Sequence, residues 1–442
     1  MPDSLLASAL ARSFLAGKPT AQQVADRAGG TLGRRWRWLG PLAKRFVKTF
    51  EGVTRPRHRD VVEFLLQDKG FLSACAKYGD ELSIGQWLTD FPKMQPVAAA
   101  RTWDIPAIES TGDLADWLGL TIGELEWFAD LKGLGYRTSN QQLRHYNYQL
   151  RPKQSGGLRL IESPKPRLKA LQRLILGRIL KRIPPHPSAH GFVDGRSIKT
   201  FVAPHTGRRV ILRMDLRDFF PTFAAARIQA LFRMLGYPES VADLLGGICT
   251  NSVPRDVWHK PGFDVNPGSL REARILYRKP HLPQGAPTSP ALANLCTYRL
   301  DCRLTGLAEA AGASYTRYAD DLAFSGDAAF ERRVDRFSTH VAVILHEEGF
   351  VAHHRKTRIM RQGVRQHLAG LVANRHMNIR RTDFDRLKAI LTNCARLGPA
   401  THNRESHPHF RAHLEGRVAF VEMINPAKAQ RLWAIFEQIR WQ

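Results

Sequence analysis

The chain has 442 residues, 43% hydrophobic and 24% charged, which is ordinary for a globular protein and excludes wholesale disorder or a collagen-like repeat. No stretch reaches the roughly 18–20 uninterrupted apolar residues of a membrane span; the N-terminal MPDSLLASALARSFLAGKP has no basic lead and Arg12 interrupts it, so it reads as a helix rather than a signal peptide, with no membrane partner expected. Sixty-six Lys and Arg against 40 Asp and Glu give a net charge of +26, which fits a polyanionic partner, most simply nucleic acid.

Residues 1–100 alternate short helical patterns with basic patches, and residues 1–60 carry 12 Lys and Arg against 4 Asp and Glu. GRRWRWLG (33–40) and TRPRHRD (54–60) set aromatics beside arginines. That mixture suits base stacking with phosphate contact, and equally a helical face over ordinary core tryptophans. IESTGDLADWLGLTIGELEWFADLKG (108–133) predicts two short amphipathic helices. Thr111 and Thr121 are the expected N-caps, and Glu124 completes a capping box with Thr121. YNYQLRPKQSGGLRLIESP (146–164) predicts a hairpin turning at Ser155-Gly156-Gly157. From Ser163 to Val193 there are seven Lys and Arg and no acid. Helical spacing of Leu168, Leu171, Ile175 and Ile179 gives this segment one apolar face and one strongly basic face. Solvated faces usually mix signs, so Arg167, Lys169 and Arg173 are expected to contact phosphate.

RRVILRMDLRDFF (208–220) opens as a strand, with Val210, Leu212 and Met214 on one side and Ile211, Arg213 and Asp215 on the other. An aspartate at such a strand end is, taken alone, a turn or helix cap. The segment 251–280, with Pro254, Pro261, Gly262, Pro267 and Gly268, reads as an irregular insertion that contacts a nucleic acid or another partner. In HLPQGAPTSPALANL (281–295), Gln284-Gly285 gives a loop whose backbone can approach a ligand closely. Ser289 and Pro290 read as N-cap and N1 of a following helix. SYTRYADDLAFSG (314–326) predicts two strands flanking a tip of Ala319-Asp320-Asp321. Adjacent carboxylates at a tight tip repel each other, and folding does not ask for them. Divalent cations relieve that repulsion, and phosphoryl transfer uses two metals about 3.5–4 Å apart. Asp215 would complete the ligand set. All-oxygen ligands suit two magnesium ions, with manganese the alternative, and not zinc. Residues 349–382 hold eight Lys and Arg, four His and no acid, so Arg355, Arg358 and Arg375 are expected to contact a nucleic-acid backbone. The five cysteines (Cys75, Cys249, Cys296, Cys302, Cys394) are scattered, without a CxxC pair. They indicate neither a zinc site nor a disulfide framework, and a cytoplasmic setting is expected.

Together these segments resemble a reverse transcriptase, most closely the bacterial retron type. Asp215 falls in the first catalytic motif, LPQGAPTSP in the template- and nucleotide-positioning motif, and Tyr318-Ala319-Asp320-Asp321 in the catalytic hairpin. The resemblance extends through GFVDGRSI (191–198), GFVAHHRKTRI (349–359), AGLVAN (369–374) and FRAHLEGRVAFVEMINPAKAQRLW (410–433), covering about residues 108–440. It implies that Lys153, Arg159 and Lys356 hold the incoming triphosphate. It places Phe220 at the steric gate, where a bulky ring excludes a ribose 2′-OH and favours dNTPs. His205 stands in an element associated with recognition of the cognate RNA.

The implied fold is α+β, a right-hand polymerase with a mostly helical basic N-terminal extension (1–107), fingers (108–207), a catalytic palm built on an antiparallel sheet (208–375) and a helical thumb (376–442). Asn425 and Pro426 are the expected N-cap and N1 of the last helix. The implied function is RNA-directed DNA synthesis on a dedicated structured non-coding RNA, giving a branched RNA–DNA product. A role in phage defence beside an effector protein is implied as well. Two stretches depart from the retron pattern. In Phe201-Val202-Ala203-Pro204-His205 only the histidine agrees, and Leu368-Ala369-Gly370 stands where many members have Val-Thr-Gly. Three alternatives remain: an abortive-infection polymerase making untemplated DNA, a group II intron-like enzyme, and a non-catalytic RNA-binding scaffold. The intact aspartate trio argues against the scaffold. The roughly 65 residues after Asn378, enough for a thumb and little else, argue against the intron type.

Overall fold

The computed structural model describes residues 3–17, 19–53, 56–86, 94–138, 140–152, 158–259, 267–403 and 406–441. The chain forms two compact units, Met1–Ile183 with Phe223–Leu292, and Pro184–Thr222 with Ala293–Gln442.

The first unit opens with helices Asp3–Leu15, Ala21–Thr31, Leu39–Thr49, His58–Gln67 and Lys69–Tyr78. Their apolar faces share a core that includes Leu10, Phe14, Leu42, Phe46, Leu65 and Phe71. The two tryptophans beside arginines belong to this core. Trp36 is 8% exposed and packs 4.7 Å from the Tyr78 ring, and Trp38 lies 6.2 Å from Phe71. Of the two readings of that segment, core packing therefore holds. Helices Thr111–Leu118 and Ile122–Ala129 follow. Thr121 and Glu124 form the expected capping box, but the first helix is capped by Ser110 and not by Thr111. Asp113 lies three residues after Ser110 and returns its hydrogen bond to the Ser110 N–H (3.0 Å), which selects that serine.

The hairpin forms as expected. Strands β1 (Tyr146–Pro152) and β2 (Leu158–Pro164) are antiparallel, in register from Tyr146↔Pro164 to Pro152↔Leu158. The expected turn at 155–157 lies outside the described residues. Leu150, Leu158 and Leu160 pack with Val253, Val257, Trp258 and Tyr277. The described residues of the segment 251–280 thus pack on the hairpin, and residues 260–266 lie outside the described residues. Over its own span, helix Pro267–Leu276 replaces the expected irregular chain, and its proline opens the first turn, where the N–H has no intrahelical partner.

The second unit is built on an antiparallel sheet of β3 (Val210–Asp215), β4 (Ser314–Tyr318), β5 (Asp321–Gly326) and β6 (Arg358–Arg361), in the order β4-β5-β3-β6. Strand β3 is central, and Val210, Ile211 and Leu212 are fully buried. Both faces of β3 are covered, so burial along it does not alternate. A second sheet is formed by β7 (His367–Leu368), β8 (Leu371–Val372) and β9 (Asn378–Ile379). Helices Arg381–Leu397, Phe410–Ile424 and Pro426–Phe436 close this unit through Leu391, Val418 and Leu432, packed with Phe201 and Leu368. Asn425 caps the last helix as expected, accepting the Lys428 N–H at 3.1 Å. Among the described residues, no helix is long and apolar enough to cross a membrane.

Candidate active site

The pairing of β3 with β5 sets Asp215 opposite Asp321, and the pairing of β4 with β5 sets Tyr318 opposite Asp321. The turn between β4 and β5 is therefore only Ala319 and Asp320. Asp321, expected in the tip, is the first residue of β5. Ala319 holds a left-handed backbone (φ 55°), a conformation that disfavours any residue with a Cβ. The Leu216 N–H donates to the Asp320 carbonyl at 2.9 Å, which ties the turn to the end of β3. The three aspartates thus meet at one end of the central strand pair.

Two of the carboxylates are paired with cations. Lys356 Nζ lies 2.9 and 3.1 Å from the two oxygens of Asp215. Arg213 donates to Asp321 from Nε at 2.9 Å and from Nη2 at 2.7 and 3.0 Å. Asp320 has no ion-pair partner among the described residues. Burial, and then the charges of Asp215 and Asp321, push its carboxyl from the ordinary 3.8 to about 6. Burial also raises Asp321, and Arg213 opposes that shift. Among the described residues no three carboxylate, histidine or cysteine groups are already gathered as a metal cage. The reason is visible in the pairing, since Asp215 and Asp321 turn toward Lys356 and Arg213. The donor chemistry nonetheless fits a hard divalent cation: three carboxylates, oxygen only, with one charge left uncompensated.

Aromatic rings flank the turn. Phe220, in the short helix Phe219–Thr222, is half-buried, with its ring 5.4 Å from Phe219 and 6.4 Å from Phe192. Phe192 lies 6.3 Å from Tyr318, is 54% exposed and has φ 60°. Sequence reasoning passed over Phe192. An exposed phenylalanine held in a left-handed backbone becomes visible only once the backbone is known.

In the first unit, Gln284 and Gly285 form a loop on β2. The Glu162 N–H donates to the Gln284 carbonyl at 2.9 Å. Gly285 has φ 135°, and a Cβ there would lie 2.8 Å from the Glu162 carbonyl oxygen, so glycine is required twice over. Beneath this loop Glu162 and His281 form a buried pair at 3.0 Å. Burial, the largest single influence, pulls the His281 ring down, but the Glu162 charge, its hydrogen bond and the Lys279 carbonyl together outweigh it and the net shift is upward. Neither residue was singled out from sequence, where a glutamate in an alternating strand reads as solvent-facing. Helix Ser289–Cys296 starts one residue before the expected position, with the Thr288 carbonyl accepting the Leu292 N–H at 3.0 Å. The Ser289 hydroxyl, expected as a cap, instead donates to the Pro283 carbonyl at 2.7 Å. Arg159 is exposed on β2, and Lys153 lies outside the described residues. Arg167, Lys169 and Arg173 are exposed on helix Pro166–Arg178, whose buried side carries Leu168, Leu171 and Ile175.

In the second unit, Arg355, Arg358 and Arg375 are exposed, and no carboxylate among the described residues pairs with them. His205, expected among the residues that bind nucleic acid, does not lie on the surface. It is fully buried, its Nδ1 lies 2.7 Å from the Ser325 hydroxyl, and its Nε2 lies 2.7 Å from the Thr316 hydroxyl. Burial pushes the ring down to about 3. A neutral ring enclosed between β4 and β5 braces the hairpin and cannot reach a phosphate without leaving the core.

The family model for reverse transcriptase (RNA-dependent DNA polymerase) matches residues 151–381. The chain is 41% identical over 334 residues to the retron Mx65 reverse transcriptase of Myxococcus xanthus, covering 75% of this chain and 72% of that protein. It is 36% identical over 348 residues to the retron Mx162 reverse transcriptase of the same organism, covering 76% and 68%. To the retron Ec86 reverse transcriptase of Escherichia coli it is 33% identical over 233 residues, covering 52% and 64%. Among solved structures, the foamy viral protease-reverse transcriptase in complex with RNA/DNA hybrid matches with a TM-score of 0.32 at 15% identity, covering 68% of this chain and 32% of that one.

Proposed function

The chain belongs to the bacterial retron reverse transcriptases and is an RNA-directed DNA polymerase, and from that premise we propose that it copies part of a dedicated structured non-coding RNA into DNA, leaving a branched RNA–DNA product. The observation that carries the reading is the register setting Asp215 opposite Asp321, with Asp320 one residue away in the turn. Asp215, Asp320 and Asp321 would hold two magnesium ions, whose charge there would acidify the attacking hydroxyl and neutralise the leaving pyrophosphate.

The chain's own residues do the rest. Phe220 sits under the sugar of the incoming nucleotide and rejects a 2′-OH by its bulk. Gln284 and Gly285 bring backbone close to the base pair being formed, and Gly285 is the residue that makes the approach possible. Lys153, Arg159 and Lys356 take the triphosphate, each as a cation matched to a phosphate oxygen. Arg167, Lys169, Arg173, Arg355, Arg358 and Arg375 hold the template–primer backbone without reading sequence. On this reading residues 108–207 are the fingers, 208–375 the palm and 376–442 the thumb, with 1–107 an added helical module. The product would act in phage defence together with an effector protein.

The test is expression of the gene with its native flanking DNA and sequencing of the nucleic acid that copurifies. DNA complementary to one short flanking RNA, joined to it and absent from an Asp320→Asn/Asp321→Asn variant, is expected. DNA of a sequence matching no RNA, or DNA persisting in the variant, would sink the reading.

A further inference from the structure

Strand β4 carries a fully buried arginine that the polymerase reading does not use. Arg317 and Asp301 are both 0% exposed. Arg317 meets the Asp301 carboxylate through Nε at 2.8 Å and Nη2 at 2.7 Å. Its third nitrogen, Nη1, donates to Asn294 Oδ1 at 3.0 Å and to the Ala319 carbonyl at 3.2 Å. The Tyr315 hydroxyl also donates to Asp301, at 2.8 Å. Asn294 in turn donates to the Gly191 carbonyl at 2.8 Å. Gly191 touches the same turn, since a Cβ on it would lie 2.6 Å from the Ala319 nitrogen.

A buried ion pair is weak support for stability, because desolvation of two charges consumes most of what their attraction returns. The arrangement is better explained by what Arg317 reaches. The Ala319 carbonyl belongs to the peptide that enters Asp320, and the Asp320 carbonyl belongs to the peptide that leaves it. Arg317 holds the first and the Leu216 N–H holds the second. Both peptide planes that aim the Asp320 side chain are therefore fixed, in a turn whose left-handed alanine would otherwise tend to relax. Asp301 and Asn294 orient the guanidinium, leaving it a single geometry.

We propose that Arg317, clamped by Asp301 and Asn294, is a positioning residue that fixes the backbone on both sides of Asp320, so that this carboxylate is placed for cation binding and nucleotide addition. The inference rests on the polymerase reading. That reading stands or falls on magnesium-dependent DNA synthesis by the wild type and its loss in Asp320→Asn, whereas the inference depends only on what happens when Arg317 changes.

Two variants test it. Arg317→Lys keeps a cation for Asp301 but lacks the fork that reaches Ala319. Arg317→Met/Asp301→Leu/Tyr315→Phe replaces the buried polar set with apolar groups of similar size, so that folding survives without the tether. Each is measured for melting temperature, for steady-state kcat and dNTP KM, and for the magnesium concentration that half-saturates the melting-temperature shift produced by magnesium alone. The expected result is a kcat lower by about 100-fold, the loss that a misplacement of about 1 Å produces, with KM within about threefold and melting near wild type. The half-saturating magnesium concentration should rise in both variants. A kcat within about threefold of wild type in either folded variant would overturn the inference. So would a loss of kcat that follows melting temperature with the magnesium response unchanged, or a failure of both variants to fold, since either makes the cluster structural support only.

Discussion

Replacing Asp320 with asparagine should stabilise the metal-free protein at neutral pH while abolishing DNA synthesis. The magnitude follows from the site. Burial and the neighbouring carboxylates raise Asp320 from 3.8 to about 6. The native state therefore favours the protonated form, and the stability this confers is fully present below 3.8 and lost as pH rises through about 6. At about 1.36 kcal/mol per unit, ionised Asp320 costs the fold roughly 3 kcal/mol at pH 8. Asparagine removes the charge but must itself be desolvated, which leaves an expected gain of about 1–2 kcal/mol. For a unit of this size that is about 2–8 °C in melting temperature. The assay is thermal unfolding of wild type and Asp320→Asn in EDTA, at pH 8 and at pH 4. The variant should melt higher at pH 8, the two should converge at pH 4, and magnesium at pH 8 should raise wild type more than the variant. Equal melting at pH 8, or a gain that persists undiminished at pH 4, would refute the account of an uncompensated carboxylate.

Three further outcomes are expected. Phe220→Ala should cut the preference for dNTPs over rNTPs by about 10–200-fold, the range a steric pocket supplies, with single-nucleotide incorporation as the assay. Gly285→Ala adds a Cβ that would lie 2.8 Å from the Glu162 carbonyl, in a backbone that disfavours it. The dNTP KM should rise about tenfold, for a loop shift costing about 1–3 kcal/mol, and an unchanged KM would remove the loop from the nucleotide site. His205→Ala takes the partner of the Ser325 hydroxyl and one of the two partners of the Thr316 hydroxyl, which still donates to the Phe201 carbonyl, and opens a cavity, so it should cost about 2–4 kcal/mol in urea unfolding. Affinity of the refolded variant for RNA should not change, and a selective loss of RNA binding would restore His205 to the RNA-recognition role expected from sequence.

What could be read from the sequence was mostly local. The capping box at Thr121 and Glu124, the Asn425 cap and the hairpin of β1 and β2 are settled within a few residues, and each forms as expected. The Tyr-Ala-Asp-Asp turn was legible for the same reason, although its boundary shifts by one residue because Asp321 pairs with Asp215 and so belongs to the strand. Ser110 displaced Thr111 because two adjacent hydroxyls offered the same cap and only the position of Asp113 decides between them. Long-range burial was not legible. His205, Glu162, Asp301 and Arg317 are polar residues in elements that carry no sign of facing inward, and each acquires its role from partners between 14 and 120 residues away. For the tryptophans at 36 and 38 the arginine neighbours left a binding surface and a core equally open, and the fold decides for packing, with Trp36 in the core and Trp38 partly buried against it.

The energetics of the β4–β5 turn point the same way as its geometry. Three features there each work against stability: the left-handed Ala319, the unpaired Asp320 charge, and the desolvated Arg317–Asp301 pair. A glycine at 319, an asparagine at 320 and an apolar pair at 301 and 317 would each relieve one of them. Such costs are tolerated where surrounding structure over-determines the conformation. Here that structure is strand β3, buried on both faces and paired on both edges, with His205 bracing the hairpin from within. Selection for folding alone would not gather three avoidable costs around one turn beside a rigid strand. The proposed requirement to present carboxylates at fixed positions to cations would, and it would also account for Lys356 and Arg213 standing beside Asp215 and Asp321, where they balance two of the three carboxylate charges.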